Sequence, residues 1–365
     1  MLRRLVLIGG GRAHMRLMRS LAKPLVRGAE VVLVTEERES YNPAMSAGLL
    51  RGAYSIEEAR IDLVSLSERA GVRLVPHAVS QIDLNERVVL AGAERIPFDL
   101  CSLDIVGWPE GADLPGVVDH ALPLRPVSAL PSVRAALDER FVGIDRPIQC
   151  VVVGGGTTGV EAAFALQRLL RDSSRGGVVT IVDGAETILG DGSPCRDLAR
   201  QGLERAGVCF ALGSKVVRVA RDRVMLASGA ELPADVVLWA TAGVPPRAIA
   251  ESGLPCDARG RVRVDHTLRS SDGAPVWAAG DCAVLEGQDA RSEKEESTQL
   301  ERSVRAALDG ASPRVLRGGR SEPCLLDTGD GRALVEWGAL HARARWGWWI
   351  RQRRDRRFVA EFQRR

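Results

Sequence analysis

The chain reads CVVVGGGTTG over residues 150–159, an apolar run followed at once by three glycines. The run predicts a buried parallel strand, and the glycines predict a tight turn into a helix. In a dinucleotide-binding turn, the first glycine permits the turn and the second lets backbone N–H groups approach a diphosphate. The third lets the helix pack closely against the strand. Gly154, Gly156 and Gly159 hold these positions, so the stretch predicts a unit that binds a dinucleotide.

The residues that follow complete this unit. An apolar helix is expected from Val160 to Leu170, and a second buried strand over residues 178–182 ends at Asp183. An acidic side chain at that strand end can accept hydrogen bonds from the ribose hydroxyls of the nucleotide. An Arg at this position would suit the ribose phosphate of NADPH. The sequence has the acidic Asp183 there, which therefore favours NADH over NADPH. The nearby Arg175 leaves a phosphate clamp open as an alternative.

A second copy of the unit opens the chain, with LVLIGGGRAH over residues 5–14. Its helix is expected to end at Pro24, and its second strand, residues 31–34, ends next to Glu36. This copy is less regular, because His14 stands where the third glycine is expected. An ordinary βα turn without a nucleotide is the alternative. Two copies separated by a domain's length favour two nucleotide-binding units.

The composition excludes several classes of protein. The 365 residues, 27% of them charged, suit a soluble globular protein of two or three domains. No run approaches the ~20 apolar residues of a membrane-spanning helix. The apolar N-terminus stops too early, at three glycines, for a signal peptide. The seven Cys are scattered, with no C-x-x-C pair, so they predict neither a zinc site nor a disulfide framework and fit a reducing compartment.

The formal net charge of +3 hides an uneven distribution of charge. Residues 341–365 contain nine Arg against Asp355 and Glu361, a net charge of +7, which leaves −4 for residues 1–340. Trp and Phe interleave with these arginines, a composition that suits contact with an anionic membrane. Packing of the aromatic side chains on the body, or a homodimer contact, is the alternative, because they form no single helical stripe. No nucleic-acid partner is expected, since no binding module accompanies the basic tail.

Residues 274–283, APVWAAGDCA, resemble the flavin-binding signature of the pyridine nucleotide–disulfide oxidoreductase superfamily. In that signature a hydrophobic strand ends in Gly-Asp, and the Asp, here Asp281, binds the ribityl chain of FAD. The resemblance implies an α/β fold of two Rossmann-like, three-layer domains, with an NAD(P)H-binding domain inserted in an FAD-binding domain. The implied divisions are 1–115 and 260–318 for FAD, 116–259 for NAD(P)H, and a C-terminal segment over 319–365.

Narrower features resemble type II NADH dehydrogenase-like flavoproteins, in particular the module associated with selenide, water dikinase. These features are Ser-Leu-Asp-Ile at 102–105, Leu-Arg-Pro at 124–126 and the Trp pair of the tail. Residues 36–60 contain no Cys, so the dithiol relay of the disulfide reductases is excluded. Sulfide:quinone reductases use a different cysteine pair. Only Cys150 and Cys324 are candidates for it, and Cys150 lies in a predicted buried strand, which disfavours sulfide oxidation.

The resemblance also assigns residues to the two cofactors. Glu161, two residues past Gly159, is implied as the catalytic residue at the nicotinamide–flavin junction, where it can accept a hydrogen bond from the carboxamide. A first-turn Glu favoured only by the helix dipole is the alternative. The implied FAD-binding residues are Gly9, Gly11, Arg12, His14, Glu36, Val79 (through its backbone) and Asp281. The implied NAD(P)H-binding residues are Gly154, Gly156, Thr157, Gly159, Asp183, Thr241 and Gly243, and no metal ligand is expected.

These assignments imply an FAD-dependent NAD(P)H oxidoreductase. Hydride would pass from NADH to the flavin, and electrons onward to a quinone-like small-molecule acceptor. A flavin reductase for a redox partner, either a protein or a selenium or sulfur species, stays open, as does a nucleotide-binding module without turnover. The expected location is cytoplasmic, with peripheral attachment at the cytoplasmic face of the membrane through 341–365.

Overall fold

The computed structural model describes residues 3–21, 29–173, 176–190, 193, 195–285, 292–316 and 323–363, so Pro24 and Arg175 lie outside the described residues. Within these ranges the strands are β1 (Arg3–Ile8), β2 (Ala29–Val34), β3 (Glu39–Tyr41), β4 (Arg60–Asp62), β5 (Arg73–Val75), β6 (Val79–Asp83), β7 (Val88–Ala91), β8 (Glu94–Pro97), β9 (Leu100–Leu103), β10 (Trp108–Pro109), β11 (Ala121–Pro123), β12 (Ile148–Val153), β13 (Gly177–Val182), β14 (Cys209–Ala211), β15 (Val216–Val219), β16 (Arg223–Leu226), β17 (Glu231–Pro233), β18 (Val236–Trp239), β19 (Gly243–Val244), β20 (Val262–Val264), β21 (Val276–Ala278), β22 (Ala283–Leu285), β23 (Cys324–Asp327), β24 (Ala333–Trp337) and β25 (Leu340–Ala344). The α-helices are α1 (Arg12–Leu21), α2 (Ser46–Leu50), α3 (Ile56–Ala59), α4 (Leu63–Ala70), α5 (Val117–His120), α6 (Leu130–Phe141), α7 (Thr157–Asp172), α8 (Arg196–Arg205), α9 (Arg247–Ala250), α10 (Glu293–Leu308) and α11 (Arg345–Gln363).

The first large sheet has the strand order β21–β9–β1–β2–β5, and all of its pairings are parallel. Its central strand β1 is apolar from Leu5 to Ile8, and each of these side chains is at most 1% exposed. A parallel strand with helices on both faces is buried on both sides, which explains the unbroken apolar run. Helix α1 follows β1 and packs against α4 and α10.

The second large sheet repeats this arrangement, with the parallel order β11–β18–β12–β13–β14. Helix α7 connects β12 to β13 and buries its apolar side chains against β13 and α2. A glycine turn and a helix therefore follow the first strand of each sheet. The predicted α/β fold with two Rossmann-like units is confirmed. The domain boundaries stay a prediction.

The C-terminal segment folds back onto the body. Strands β23, β24 and β25 form an antiparallel sheet, and α11 packs against β23 and β24 as well as α3 and β4. Most of the buried residues of α11 are spaced three or four positions apart, which defines one inward face. They are Gly347, Arg351, Gln352, Asp355, Val359 and Phe362. Among the described helices, none combines the length and the apolar run that crossing a bilayer requires.

Candidate functional site

The turn between β12 and α7 meets the steric demands of a dinucleotide site. Gly154 has φ +112°, a backbone conformation that other residues rarely adopt. A Cβ on Gly159 would lie much closer than 3.0 Å to the carbonyl oxygen of Gly154, and real Cβ atoms essentially never come that close to another atom. The added Cβ is fixed to the backbone of α7, and the oxygen that it would meet belongs to the backbone of the turn, so neither atom can turn away. Only glycine therefore lets α7 approach β12 this closely. The predicted roles of the first and third glycines match this geometry.

The start of α7 is open, and it faces the interior of a cleft. Gly156 precedes the first residue of α7, no side chain caps the helix, and a Cβ on Gly156 would meet no atom within 4 Å. Gly156 and Thr157 are both exposed. The positive end of the helix dipole and free N–H groups at this point favour an anion. The space beside Gly156 therefore fits the diphosphate of a dinucleotide.

Asp183 closes the same turn at the end of β13. Its carboxylate accepts hydrogen bonds from the backbone N–H groups of Gly155 (2.5 Å) and Ala185 (2.8 Å). These bonds hold the side chain half-buried beside the glycines, at the position expected for a ribose-binding acid. A carboxylate there would repel a ribose phosphate.

The turn between β1 and α1 differs, because it already holds a carboxylate. Asp104, directly after β9, accepts hydrogen bonds from the N–H groups of Ala13 (2.7 Å) and His14 (3.0 Å). Its carboxyl atoms fill the space that a Cβ on Gly11 would occupy. Burial raises the pKa of Asp104 to about 6, although the two N–H groups oppose this shift. Two of the first N–H donors of α1 are thus bound internally.

The imidazole of His14 lies beneath this turn. Its Nδ1 is 2.7 Å from the carbonyl oxygen of Gly9, and its Nε2 is 2.8 Å from Oγ of Ser102. The residue is completely buried, and burial lowers the pKa of His14 to about 4, so the ring is neutral at pH 7. His14 therefore ties α1 to β1 and β9 with its side chain. The direct contact of His14 with FAD stays a prediction.

Asp281 lies beside the first turn and pairs with a cation. Its Oδ2 accepts hydrogen bonds from Arg125 (2.7 Å) and from the N–H of Gly107 (3.2 Å). A Cβ on Gly243 would collide with the Asp281 carboxylate, so Gly243 serves this close approach to the first unit. Gly243 lies next to Asp281, and its predicted contact with NAD(P)H stays a prediction.

Arg12 supplies a second positive charge near the first turn. Its guanidinium donates to Oδ1 of Asn42 and lies 4.5 Å from the ring centroid of Phe358 on α11. Burial lowers the pKa of Arg12 to about 10, which still leaves it charged at pH 7. Together, Arg12 and Arg125 offset the carboxylates of Asp104 and Asp281. The first turn can therefore still hold an anionic cofactor.

Glu161 is buried at the contact between α7 and the C-terminal segment. Its carboxylate accepts hydrogen bonds from the N–H of Asp327 (2.9 Å) and from both terminal nitrogens of Arg351, with Nη2 at 2.9 Å from Oε2. Burial raises the pKa of Glu161 to about 7, and the guanidinium of Arg351 opposes the shift. For Arg351, burial alone would lower the pKa, but Glu161, Asp355 and Asp327 raise it above its ordinary value. We conclude that Arg351 is charged and holds Glu161 in place.

One cavity of about 1370 Å³ brings many of the predicted residues together. Arg12 lies in its wall with Glu161, and the second turn lines it from Gly154 to Thr158. Asp183 and Thr241 also line it, and Thr241 donates its hydroxyl to the carbonyl of Glu110 (2.8 Å). Of the expected FAD residues, Arg12 lines this cavity, and Gly9, Gly11, His14, Glu36, Val79 and Asp281 do not. Glu36 is exposed after β2, and Val79 is half-buried in the antiparallel pairing of β6 with β7.

Three functional side chains were missed as site residues by sequence reasoning. Asp104 and Arg125 appeared only within short runs that pointed to a subgroup, and Arg351 appeared only as part of the basic tail. The acid directly after the fully buried strand β9 was the available signal for Asp104. No local pattern distinguishes Arg351 from the other arginines of α11, since its partner Glu161 is 190 positions away.

Comparison with known proteins identifies the family. A family model described as pyridine nucleotide-disulphide oxidoreductase matches residues 3–310. The chain belongs to this family. The family uses FAD and NAD(P)H, which agrees with the two turns described above.

Two relatives of similar sequence have names that refer to quinone reduction. The internal alternative NAD(P)H-ubiquinone oxidoreductase A1 of Solanum tuberosum is 26% identical over 284 residues, covering 73% of this chain and 52% of the relative. The demethylphylloquinone reductase of Synechocystis is 27% identical over 235 residues, covering 62% and 57%. The chain thus spans about half the length of these relatives.

Solved structures share the fold. The sulfide:quinone oxidoreductase of Aquifex aeolicus matches with a TM-score of 0.83 at 13% identity, covering 99% of this chain and 91% of that one. A structure titled NDH2 from Plasmodium falciparum in complex with NADH matches with a TM-score of 0.75 at 10% identity, covering 99% and 98%. At these identities the likeness concerns the fold alone.

Proposed function

We propose that this protein is an FAD-dependent NAD(P)H oxidoreductase that passes electrons to a quinone-like acceptor. The observation that carries the proposal is the single cavity onto which the second glycine turn, Glu161 and Arg12 all open. FAD, when bound, supplies the redox chemistry, because it can accept a hydride from NADH and release electrons onward. The chain's own residues bind the nucleotides, orient them and exclude water.

The second turn supports NADH as the electron donor. The open start of α7 beside Gly156 binds the diphosphate, and Asp183 binds the ribose hydroxyls. Glu161 retains acceptor capacity, because a carboxylate offers about four lone-pair sites. Arg351 and the N–H of Asp327 hold this carboxylate at the cavity wall, where it can accept a hydrogen bond from a carboxamide.

The choice of acceptor rests on the relatives. Two of them carry quinone reduction in their names. A reductase that serves another electron carrier, named nitric oxide reductase FlRd-NAD(+) reductase in Citrobacter koseri, is 27% identical over 297 residues, covering 79% of this chain and 74% of the relative. A redox protein or a selenium or sulfur species therefore stays as the second candidate for the acceptor.

One experiment tests both parts of the proposal. Protein reconstituted with FAD should be yellow, and NADH added without oxygen should bleach the flavin absorption. A soluble quinone should then restore the colour faster than selenite or polysulfide does. Failure to take up FAD would contradict the proposal as a whole. Faster reoxidation by selenite or polysulfide would instead favour a selenium or sulfur species, part of the second candidate, as the acceptor.

The variant Gly156→Ala should weaken NADH binding and leave the fold intact. Gly156 has φ −70°, which alanine adopts readily, and its Cβ would point into open space. The added methyl would occupy the space proposed for the diphosphate, so we expect about a 100-fold rise in the Kd of NADH. Fluorescence titration measures the Kd, and thermal melting should show an unchanged Tm. Unchanged NADH affinity would place the diphosphate elsewhere.

The exposed half of the C-terminal segment supports peripheral attachment to an anionic lipid surface. Trp346, Trp349 and Ile350 lie on one face of α11 and are from 41% to 58% exposed, as are Trp337 and Leu340 on the adjacent hairpin. The guanidinium of Arg353 lies 5.5 Å from the ring of Trp349. Exposed Trp side chains beside Arg suit the boundary between lipid headgroups and acyl chains. The other half of α11, with Val359 and Phe362, packs on the body.

The double variant Trp346→Ser/Trp349→Ser should reduce binding to phosphatidylglycerol vesicles about tenfold or more, because two large apolar contacts are lost. Trp108→Ser is the matched control, since Trp108 is 62% exposed on β10, a strand outside the C-terminal segment. Vesicle co-sedimentation measures the binding. Equal binding of the double variant would remove the lipid proposal. A dimer in gel filtration that the double variant disrupts would assign the surface to a second copy of the chain.

A further inference from the structure

The two glycine turns share a backbone arrangement in which one position carries different side chains. Asp104, directly after β9, donates its backbone N–H to the carbonyl of the last residue of β1 (2.9 Å). Ala240, directly after β18, donates its N–H to the last residue of β12 in the same way (2.8 Å). A Cβ on Gly9 would meet the carbonyl oxygen of Asp104 at 2.5 Å, and a Cβ on Gly154 would meet that of Ala240 at 2.5 Å. Asp104 and Ala240 are therefore equivalent positions of the two units.

The side chain at this position decides what lies at the start of the helix. Oδ2 of Asp104 accepts hydrogen bonds from the N–H groups of Ala13 (2.7 Å) and His14 (3.0 Å). A Cβ on Gly11 would collide with this carboxylate, whereas a Cβ on Gly156, the second glycine of the other turn, would meet nothing within 4 Å. The backbone approaches a diphosphate at the second glycine of such a turn. In the first unit, the carboxylate of Asp104 therefore lies where the second unit leaves space for a diphosphate.

The charged and titratable groups that face Asp104 come from several elements. They are Arg12 and His14 of α1, Asp281 and Cys282 after β21, Arg125 against Asp281, and Glu296 of α10, which accepts a hydrogen bond from the N–H of Gly280 (2.7 Å).

Among these neighbours, burial lowers the pKa of His14 to about 4 and raises that of the Cys282 thiol, so both are neutral between about pH 5 and pH 8. Burial also lowers the pKa of Arg12 to about 10, which leaves it charged there. For Asp104, burial raises the pKa to about 6, and Asp104 therefore changes its charge within this range.

We propose that Asp104 controls the affinity of the first turn for FAD, because its carboxylate repels the diphosphate and its protonated form binds it. This inference rests on the proposed function, since it takes FAD as the ligand of this turn. A carboxylate can only accept hydrogen bonds, whereas a protonated carboxyl group can donate one to a phosphate oxygen. A bound diphosphate thus favours protonated Asp104, and binding takes up a proton. The affinity is constant below a pH of about 6 and falls as the pH rises above it.

The test compares wild type with Asp104→Asn, using the full chain freed of flavin. Asn has the shape of protonated Asp, so its oxygen can still accept from Ala13 and His14, while its amide can donate to a phosphate at any pH. Quenching of flavin fluorescence measures the Kd of FAD. Wild type should bind about tenfold more weakly at about pH 8 than at about pH 5, whereas Asp104→Asn should bind equally at both. Calorimetry in buffers of different ionisation enthalpy should show proton uptake by wild type near neutral pH, and none by the variant.

Asp265→Asn is the matched control, because Asp265 makes the same kind of contact on the surface. It is exposed, and its Oδ1 accepts hydrogen bonds from the N–H groups of Thr267 (2.7 Å) and Arg269 (3.1 Å). Asp265→Asn removes one negative charge from such a turn and should keep the wild-type Kd of FAD at each pH.

The reciprocal variant Ala240→Asp needs no flavin. It places a carboxylate at the equivalent position of the second turn, beside the open space at Gly156. The Kd of NADH should therefore rise about tenfold or more at about pH 8. A folded Ala240→Asp protein that binds NADH like the wild type would overturn the proposal.

The outcomes separate this inference from the proposed function. Equal FAD affinity of wild type at both pH values, or an Asp104→Asn protein as pH-dependent as wild type, would overturn the role of Asp104 and leave FAD as the cofactor. No uptake of FAD by either protein at either pH would overturn both. Circular dichroism melts identify a variant that fails to fold. If Asp104→Asn is one, the pH dependence of wild type and the Ala240→Asp arm decide.

Discussion

Replacing Arg351 by Met should lower the free energy of unfolding by about 3–5 kcal/mol, because it leaves the carboxylate of Glu161 buried without its cation. The side chains of Arg351 and Glu161 are only 6% and 5% exposed. Arg351 also donates to the backbone carbonyls of Leu325 and Ala44, so its loss leaves buried acceptors unpaired as well. The midpoint and slope of urea unfolding, monitored by Trp fluorescence, measure the effect.

A control on the same helix separates this effect from the loss of any arginine. The side chain of Arg357 is 81% exposed, and its nearest carboxylate, on Glu361, is 3.9 Å away. Arg357→Met should therefore change the free energy of unfolding by no more than about 0.5 kcal/mol. The double variant Arg351→Met/Glu161→Gln should recover part of the lost stability, since the charge of Glu161 is then removed together with its cation. The recovery is incomplete because Asp355, whose Oδ2 lies 3.6 Å from Nε of Arg351, still loses this partner. An Arg351→Met protein as stable as Arg357→Met would refute the importance of the ion pair.

The variant Gly159→Ala should lose both stability and NADH binding. The new methyl would press on the carbonyl of Gly154, so α7 and the turn must move apart. Overpacking of this kind typically costs about 1–3 kcal/mol. The same movement displaces the open start of α7 from the diphosphate, and we expect the Kd of NADH to rise about 100-fold or more.

Comparison with Gly156→Ala separates the effect on stability from the effect on NADH binding. Both variants add one methyl within the same turn, but only the Gly159 methyl meets backbone atoms of the protein. Gly159→Ala should therefore lower the Tm, whereas Gly156→Ala should not. If Gly159→Ala melted and bound NADH like the wild type, the close packing of α7 on β12 would not govern the site.

The two glycine turns could be predicted from the sequence because their requirements are local. Gly154 and Gly159 stand five positions apart. A side chain on Gly159 would clash with the backbone of Gly154, so this short stretch governs both the turn and the approach of the helix. Asp183 could be predicted for the same reason, since it follows directly from the end of a recognisable strand. The buried runs at Leu5–Ile8 and in β12 indicated parallel strands for the general reason that sheets covered on both faces need continuous apolar sequence.

The contacts that shape the rest of the site could not be predicted in this way. Asp104 reaches the N–H of Ala13 across 91 positions, and Arg351 reaches Glu161 across 190. Neither pair has a spacing that a helix or strand would repeat, so no periodic pattern records it.

The sequence by itself thus determined the two Rossmann units, the family and the acid beside the second turn, since each depends on the steric needs of a few adjacent residues. Only the tertiary structure decided how the basic tail is arranged: residues 345–363 form α11, with Arg351 and Phe362 buried and Trp349 exposed. It also placed an internal carboxylate at the first turn and a charged arginine against Glu161. These outcomes depend on which distant surfaces become buried together, and burial is a property of the whole fold.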